Sequence, residues 1–177
     1  MRIKAITDSA NRRTLIGGSD ARIIMGDDEG ALVRLWREKR GEIEPEDLSG
    51  NLIVQLGLVT EDLNRRWFEA NTGQVITDVQ RQVRHSVLPW MAATLDGRVQ
   101  SNEAVFVAKF MLPWAFSKEA AVEKYAPQLQ HNLWVVAGRI AVLRGPGGSP
   151  LPAPNCHSRA ELLAVRRERR APYPLRR

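Results

Sequence analysis

Two short apolar runs, Met91-Ala-Ala-Thr-Leu-Asp-Gly97 and Ala104-Val-Phe-Val-Ala-Lys109, most constrain what this chain can fold into. Each carries β-branched residues, and the link between them, residues 98–103, is polar, so the pair predicts two neighbouring strands joined by a turn. The first run ends on an acid, Asp96, and the second on a lone lysine, Lys109. An acid at one strand end and a lysine on the next can converge on one point, as a hydrolase requires to hold a metal and place a water. The local pattern leaves a plainer alternative open, since Asp-Gly is a common turn and a lysine at a strand end is usually solvated.

The surrounding chain supplies helices for such a sheet. Glu29 to Arg40 predicts an amphipathic helix with Leu32, Leu35 and Trp36 on one face and Gly41 as its stop. Residues 48–71 form the longest helical pattern, with Leu52, Leu56, Val59, Leu63 and Trp67 recurring at spacings of three and four. Glu61 is offset from that stripe and is expected to face solvent or the edge of a cleft. Residues 74–84 alternate through Val75, Thr77, Val79 and Val83 and predict one half-buried strand. Ser117 is the expected N-cap of a helix running to Val136, with Val122, Tyr125, Leu129, Leu133 and Val136 as its core face and Gln128 and Asn132 as a polar stripe beside it. Residues 139–143 suggest a further strand. This order of helices and strands predicts an α/β fold with a small mixed sheet.

Near the N-terminus, Arg12 and Arg13 precede Gly17, Gly18, Ser19 and Asp20, ahead of an apolar run. Ser19 or Asp20 is the expected N-cap, and the free N–H groups of a helix start attract phosphate, with Arg12 able to assist. An ordinary capped helix is the alternative. The size of 177 residues suits one domain with a real core, and 44% hydrophobic and 26% charged residues suit a soluble protein. No apolar run approaches the length of a membrane span, the first residues lack the apolar core of a signal peptide, and Cys156 has no partner, so the expected location is cytoplasmic.

The net charge of +6 is unevenly placed: residues 137–177 carry nine arginines and two glutamates, while the rest is close to neutral. The body is therefore not a basic protein obliged to bind nucleic acid. Six of the ten prolines also lie beyond residue 145. These shifts predict a domain over residues 1–143 and a Pro/Gly/Arg-rich tail over 144–177 that stays outside the core, with a short basic helix at 160–170.

Four segments, in order, carry a resemblance: Ile16-Gly-Gly-Ser-Asp-Ala21, Gly57-Leu-Val-Thr-Glu61, Thr94-Leu-Asp-Gly97 and Tyr125-Ala-Pro-Gln-Leu-Gln-His-Asn-Leu-Trp134. Together they resemble the motifs of the YqaJ-type viral recombinase family, relatives of lambda exonuclease in the PD-(D/E)XK nuclease superfamily, over roughly residues 10–143. The resemblance implies a restriction-endonuclease-like core and an exonuclease that digests double-stranded DNA from its ends, 5′ to 3′, with Mg²⁺ or Mn²⁺. It implies catalytic roles for Glu61, Asp96, Lys109 and Gln128. The implied metal ligands are Asp96, Glu61 and the carbonyl of Ala108, and Arg12 and Ser19 would contact a DNA phosphate. The partners it implies are DNA ends, a single-strand annealing protein and further copies of the chain in a ring-shaped trimer.

Two departures modify these expectations. The acid-x-lysine motif calls for an acid two residues before Lys109, where this chain has Val107. Glu103 cannot replace it, because four residues of strand span about 13 Å. The metal is therefore expected to bind weakly, if at all, and hydrolysis to be impaired. The family also continues with more sheet and helix where this chain has its arginine-rich tail. The alternatives are a non-catalytic DNA-end-binding or assembly protein that kept the fold, and a decayed prophage product.

Overall fold

In the computed structural model, residues 12–110, 118–137, 140–144 and 163–166 are described. Helix α1 spans Gly18–Ile24, α2 Glu29–Arg40, α3 Leu52–Thr72 and α4 Lys118–Val135. The strands are β1 Ile76–Thr77, β2 Gln82–Arg84, β3 Ala92–Thr94, β4 Gly97–Val99, β5 Val105–Ala108, β6 Ile140–Arg144 and β7 Leu163–Arg166. Five strands form a mixed sheet in the order β1-β4-β5-β6-β7. Among the described strands of this sheet only the β5–β6 pair is parallel, and α4 lies between those two strands in the chain, as a parallel connection requires. Strands β2 and β3 form a separate antiparallel pair, and Ile16 makes a parallel bridge with Met91, the residue before β3.

Strand β5 is the centre of this architecture, and its alternation separates two cores. Val105 and Val107 face α4, packing with Leu129, Leu133, Ala141 and Leu143 and with Met91, Ala93 and Leu95 of the β3 segment. Phe106 and Ala108 face α3, where Phe68 meets Phe106 with ring centroids 5.2 Å apart. The sheet is thus small, mixed and flanked by helices, as its sequence predicts.

Several local expectations are corrected. The two opening runs pair only through Gly97: the body of the first run, β3, pairs with β2, while the antiparallel partner of β5 is β4, which starts at Gly97 and continues into the segment read as a polar link. Gly97 does not make a tight turn there. It enters β4 as a strand residue, at a position where a Cβ would lie 2.3 Å from Cγ2 of Ile76 on β1, so the close approach requires glycine. The single strand expected at 74–84 breaks into β1 and β2, with Asp78 and Gln80 in left-handed backbone conformation between them.

The apolar face predicted for α3 is largely outward. Leu52, Val59 and Leu63 are 69%, 64% and 64% exposed, whereas Asn64 and Phe68 are buried. Likewise Leu35 is the buried member of the α2 face, while Leu32 and Trp36 are exposed, the latter beneath the Arg40 guanidinium at 4.6 Å. Within the stretch expected to be a basic helix outside the core, Leu163–Arg166 instead pairs antiparallel with β6. An open strand edge supplies backbone hydrogen bonds that override local helical preference. Ser117 and the Pro/Gly-rich stretch 145–154 lie outside the described residues.

Candidate active site at the end of strand β5

The C-terminal end of β5 is where the α3 and α4 sides of the sheet meet. Asp96, immediately before β4, is held by the backbone of β5: the Ala108 N–H donates to its Oδ2 at 2.9 Å. Burial raises the Asp96 carboxyl above the ordinary range, while the charge of Lys109 and the Ala108 hydrogen bond act against that rise. Glu61, half-buried on α3, is raised first by burial and then by the charge of Asp96; hydrogen bonding from Gln80 and the charges of Lys109 and Arg65 act the other way. Glu61, Asp96 and Lys109 therefore share one electrostatic neighbourhood, although they come from a helix, a loop and a strand end.

Lys109 leaves β5 on the α4 side, and its ammonium sits 5.6 Å from the ring centroid of Tyr125. Such a cation–π contact holds the amine without neutralising it. Burial raises the Tyr125 hydroxyl, with Arg22 of α1 acting against it. One helical turn on, Gln128 and Asn132 face the start of α1. A Cβ on Gly18 would fall 2.5 Å from Asn132 Oδ1 and 2.9 Å from Gln128 Cγ, so only glycine permits this approach. Gln128 thus stands beside Gly18, and exposed Ser19 follows.

Gly17, not Ser19 or Asp20, is the N-cap of α1. Asp20 is the third helical residue, and its Oδ2 accepts from the Gly17 N–H at 2.9 Å and from Lys39 Nζ at 2.6 Å. Lys39 also donates to the carbonyls of Leu15 at 2.6 Å and Arg12 at 3.0 Å, tying the segment that carries Arg12 to α2. The Arg12 side chain stays exposed. Beneath this segment His131 is fully buried, and burial lowers its proton affinity. Its Nε2 lies 2.9 Å from the Ala92 carbonyl and so carries the proton it donates there.

Val107 is 1% exposed and belongs to the apolar cluster under α4. It contributes no donor atom at the point where Asp96 and Lys109 approach. Among the described residues no group of three or more His, Cys, Asp or Glu is placed to hold a metal. The groups that could hold a cation there are the carboxylates of Asp96 and Glu61, with the carbonyl of Ala108 as the further oxygen the family resemblance implies. Mg²⁺ is commonly held by one or two carboxylates with water and substrate oxygens completing its shell, so these residues fit a weakly bound hard cation. Burial raises the proton affinity of both carboxyls, and the charge of Asp96 adds to the rise at Glu61.

Sequence alone missed Gln80, Tyr125 and Arg22 as members of this neighbourhood. Gln80 sits in a turn with no periodicity, Tyr125 reads as part of an apolar face, and Arg22 gains its position only through packing of α1 on α4. The tyrosine three residues ahead of Gln128, one turn away on the same helix, was the available signal for its presence.

The YqaJ-like viral recombinase domain profile matches residues 9–139. The protein YqaJ of Bacillus subtilis (strain 168), described as uncharacterized, is 29% identical over 129 residues, which are 71% of this chain and 40% of that protein. The chain therefore spans well under half the length of that relative. The crystal structure of LHK-Exo in complex with dAMP superposes with a TM-score of 0.63 at 17% identity, covering 81% of this chain and 74% of that one. A second structure of LHK-Exo, an alkaline exonuclease from Laribacter hongkongensis, gives 0.61 at 18% identity, covering 77% and 72%. A phage-related exonuclease from Haemophilus somnus 129PT gives 0.58 at 15% identity, covering 74% and 67%. These likenesses show an exonuclease-like fold, and the profile, matching most of the chain, shows the family: the chain belongs to the YqaJ-like viral recombinase family.

Proposed function

We propose that this chain is a phage-type exonuclease-fold protein that engages the ends of double-stranded DNA and whose Mg²⁺-dependent phosphodiester hydrolysis is impaired by Val107. The observation that supports the reading is the shared electrostatic neighbourhood of Glu61, Asp96 and Lys109 at the end of β5, with the buried, apolar Val107 two residues before Lys109. A divalent cation, when bound, would offset phosphate charge and make water more acidic. Asp96, fixed by the Ala108 N–H, and Glu61, across from it, would hold that cation with the Ala108 carbonyl. Lys109, steadied by the Tyr125 ring, would orient or deprotonate the attacking water. Gln128 would donate to the reacting phosphate from α4, and Arg12 and Ser19 would receive a 5′ phosphate.

The second reading, a DNA-end-binding protein without hydrolysis, is favoured by the same valine, because an apolar side chain in that position leaves the fold intact while removing a ligand. Residues 144–177 would add sequence-independent affinity through their arginines, and a single-strand annealing protein or further copies of the chain would be the partners. Competition between linear and covalently closed duplex DNA of equal length tests end recognition. Linear DNA should compete at least about tenfold better in the presence of Ca²⁺ or EDTA. Equal competition rules out recognition of ends.

A further inference from the structure

Glu61 lies midway along α3, on a stretch whose apolar stripe is turned outward. Val59 and Leu63, flanking Glu61, are exposed, and the buried anchors Asn64 and Phe68 lie further along the helix. Two hydrogen bonds run from the segment after α3 back to its carboxylates. The Ile76 N–H donates to Glu69 Oε1 at 2.8 Å, and Gln80 Nε2 donates to Glu61 Oε1. The first ties the buried half of the helix to β1; the second reaches the acid that faces Asp96.

Gln80 is itself unusually fixed. Its φ of 57° and that of Asp78, 53°, lie in the left-handed region that non-glycine residues seldom adopt. The turn is closed by Arg81 N–H to the Asp78 carbonyl at 3.2 Å, and Arg81 Nη1 pairs with Asp78 Oδ1 at 2.8 Å. It is joined to the end of β3 on both sides: the Gln80 N–H donates to the Leu95 carbonyl at 2.8 Å, and the Leu95 N–H donates to the Arg81 carbonyl at 2.9 Å. Leu95 is the residue before Asp96, so a backbone bond and a side-chain bond of one residue span from Glu61 to the neighbour of Asp96.

We propose that Gln80 is a positioning residue of this site, its amide holding Glu61 toward Asp96 and Lys109 from a left-handed turn anchored on Leu95. A neutral donor suits the task. A lysine or arginine here would neutralise Glu61 and compete with a cation, and an acid would repel it. The amide engages one carboxylate oxygen and leaves the other available. The inference rests on the reading of Glu61, Asp96 and Lys109 as the functional site.

The variants Gln80→Asn and Gln80→Gly separate the side chain from the backbone. Asparagine tolerates the left-handed conformation but is one methylene too short, and glycine removes the steric cost altogether. Side-chain ¹³C and ¹H couplings of Glu61, measured by NMR on the metal-free protein, are expected to report one rotamer in the unmodified chain and averaged rotamers in both variants. Backbone shifts of α3 should stay unchanged, and Gln80→Gly should melt no lower than the parent. A Glu61 averaged in the parent, or held in one rotamer in both variants, overturns the proposal. Mn²⁺ affinity should fall about tenfold in Gln80→Asn, the usual cost of losing an outer support of a ligand. If Asp96→Ala leaves Mn²⁺ affinity unchanged, the reading of the site fails, and the metal-free rotamer measurement judges the Gln80 contact separately.

Discussion

Replacing Val107 with glutamate tests whether the valine occupies a ligand position. Val107 is 1% exposed and packs with Val105, Leu129, Leu133 and Leu143, on the same face of β5 from which Lys109 emerges. An ionised glutamate there, without metal, adds an unpaired charge to a region that already raises Asp96 and Glu61 by burial. Such a change costs about 3–5 kcal/mol. For a chain of this size each kcal/mol shifts Tm by about 2–4 °C, so Val107→Glu should melt roughly 10 °C lower in EDTA. A cation that binds only the folded state at a hundred times its Kd returns about 2.7 kcal/mol. Mg²⁺ in the millimolar range should therefore recover more than half of the loss in Val107→Glu, while shifting the parent by less than about 2 °C. Calorimetric melts of both proteins with EDTA and with Mg²⁺ measure the difference. A variant that melts low and gains nothing from Mg²⁺ refutes the reasoning and makes position 107 a core position alone.

Asp96→Asn should raise stability at pH 8. The folded state raises the Asp96 carboxyl, so its contribution is fully present below the ordinary carboxylate range and lost as pH climbs through the raised midpoint, where the buried charge opposes folding. Asparagine keeps an acceptor for the Ala108 N–H, so Tm should rise by a few degrees at pH 8, with the gain fading in acid; an unchanged Tm across pH contradicts this account of Asp96. Gly97→Ala should cost about 2–3 kcal/mol in urea unfolding, because its Cβ meets Ile76 at 2.3 Å, and the double variant with Ile76→Ala should lose less than the sum of the two single changes. Arg12→Ala or Ser19→Ala should remove an advantage of about tenfold for 5′-phosphorylated over 5′-hydroxyl duplex ends, read by fluorescence anisotropy; a parent with equal affinities for the two ends sinks the phosphate role.

What was legible in the sequence is what repeats or recurs locally. The apolar run of β5 and the spacing of Leu129 and Leu133 mark core residues, and both are buried. Asp96 and Lys109 could be placed near one another because each ends an apolar run. The stripe of α3 misled because periodicity identifies an apolar face but not what covers it. Asn64 and Phe68 dock the helix, leaving Leu52, Val59 and Leu63 outward. The break between β1 and β2 escaped notice because Asp78 and Gln80 adopt left-handed geometry without a glycine to announce it. Gln80 meets Glu61 across nineteen residues, a contact that only the register of the turn on Leu95 creates. His131 is hidden for a related reason: its partner, the Ala92 carbonyl, is a backbone group with no trace in residue type.

Digestion of linear, 5′-phosphorylated duplex DNA in Mg²⁺ tests the central claim most directly, with the parent chain, Asp96→Ala, Val107→Glu and Val107→Glu/Asp96→Ala at equal concentration. The account predicts that the parent and Asp96→Ala release nucleotides at the same background rate. Val107→Glu should release them at least about a hundredfold faster, and its Asp96→Ala derivative should return to background. A parent chain that digests DNA at a rate abolished by Asp96→Ala contradicts the account, because the acid at position 107 is then not needed for the chemistry.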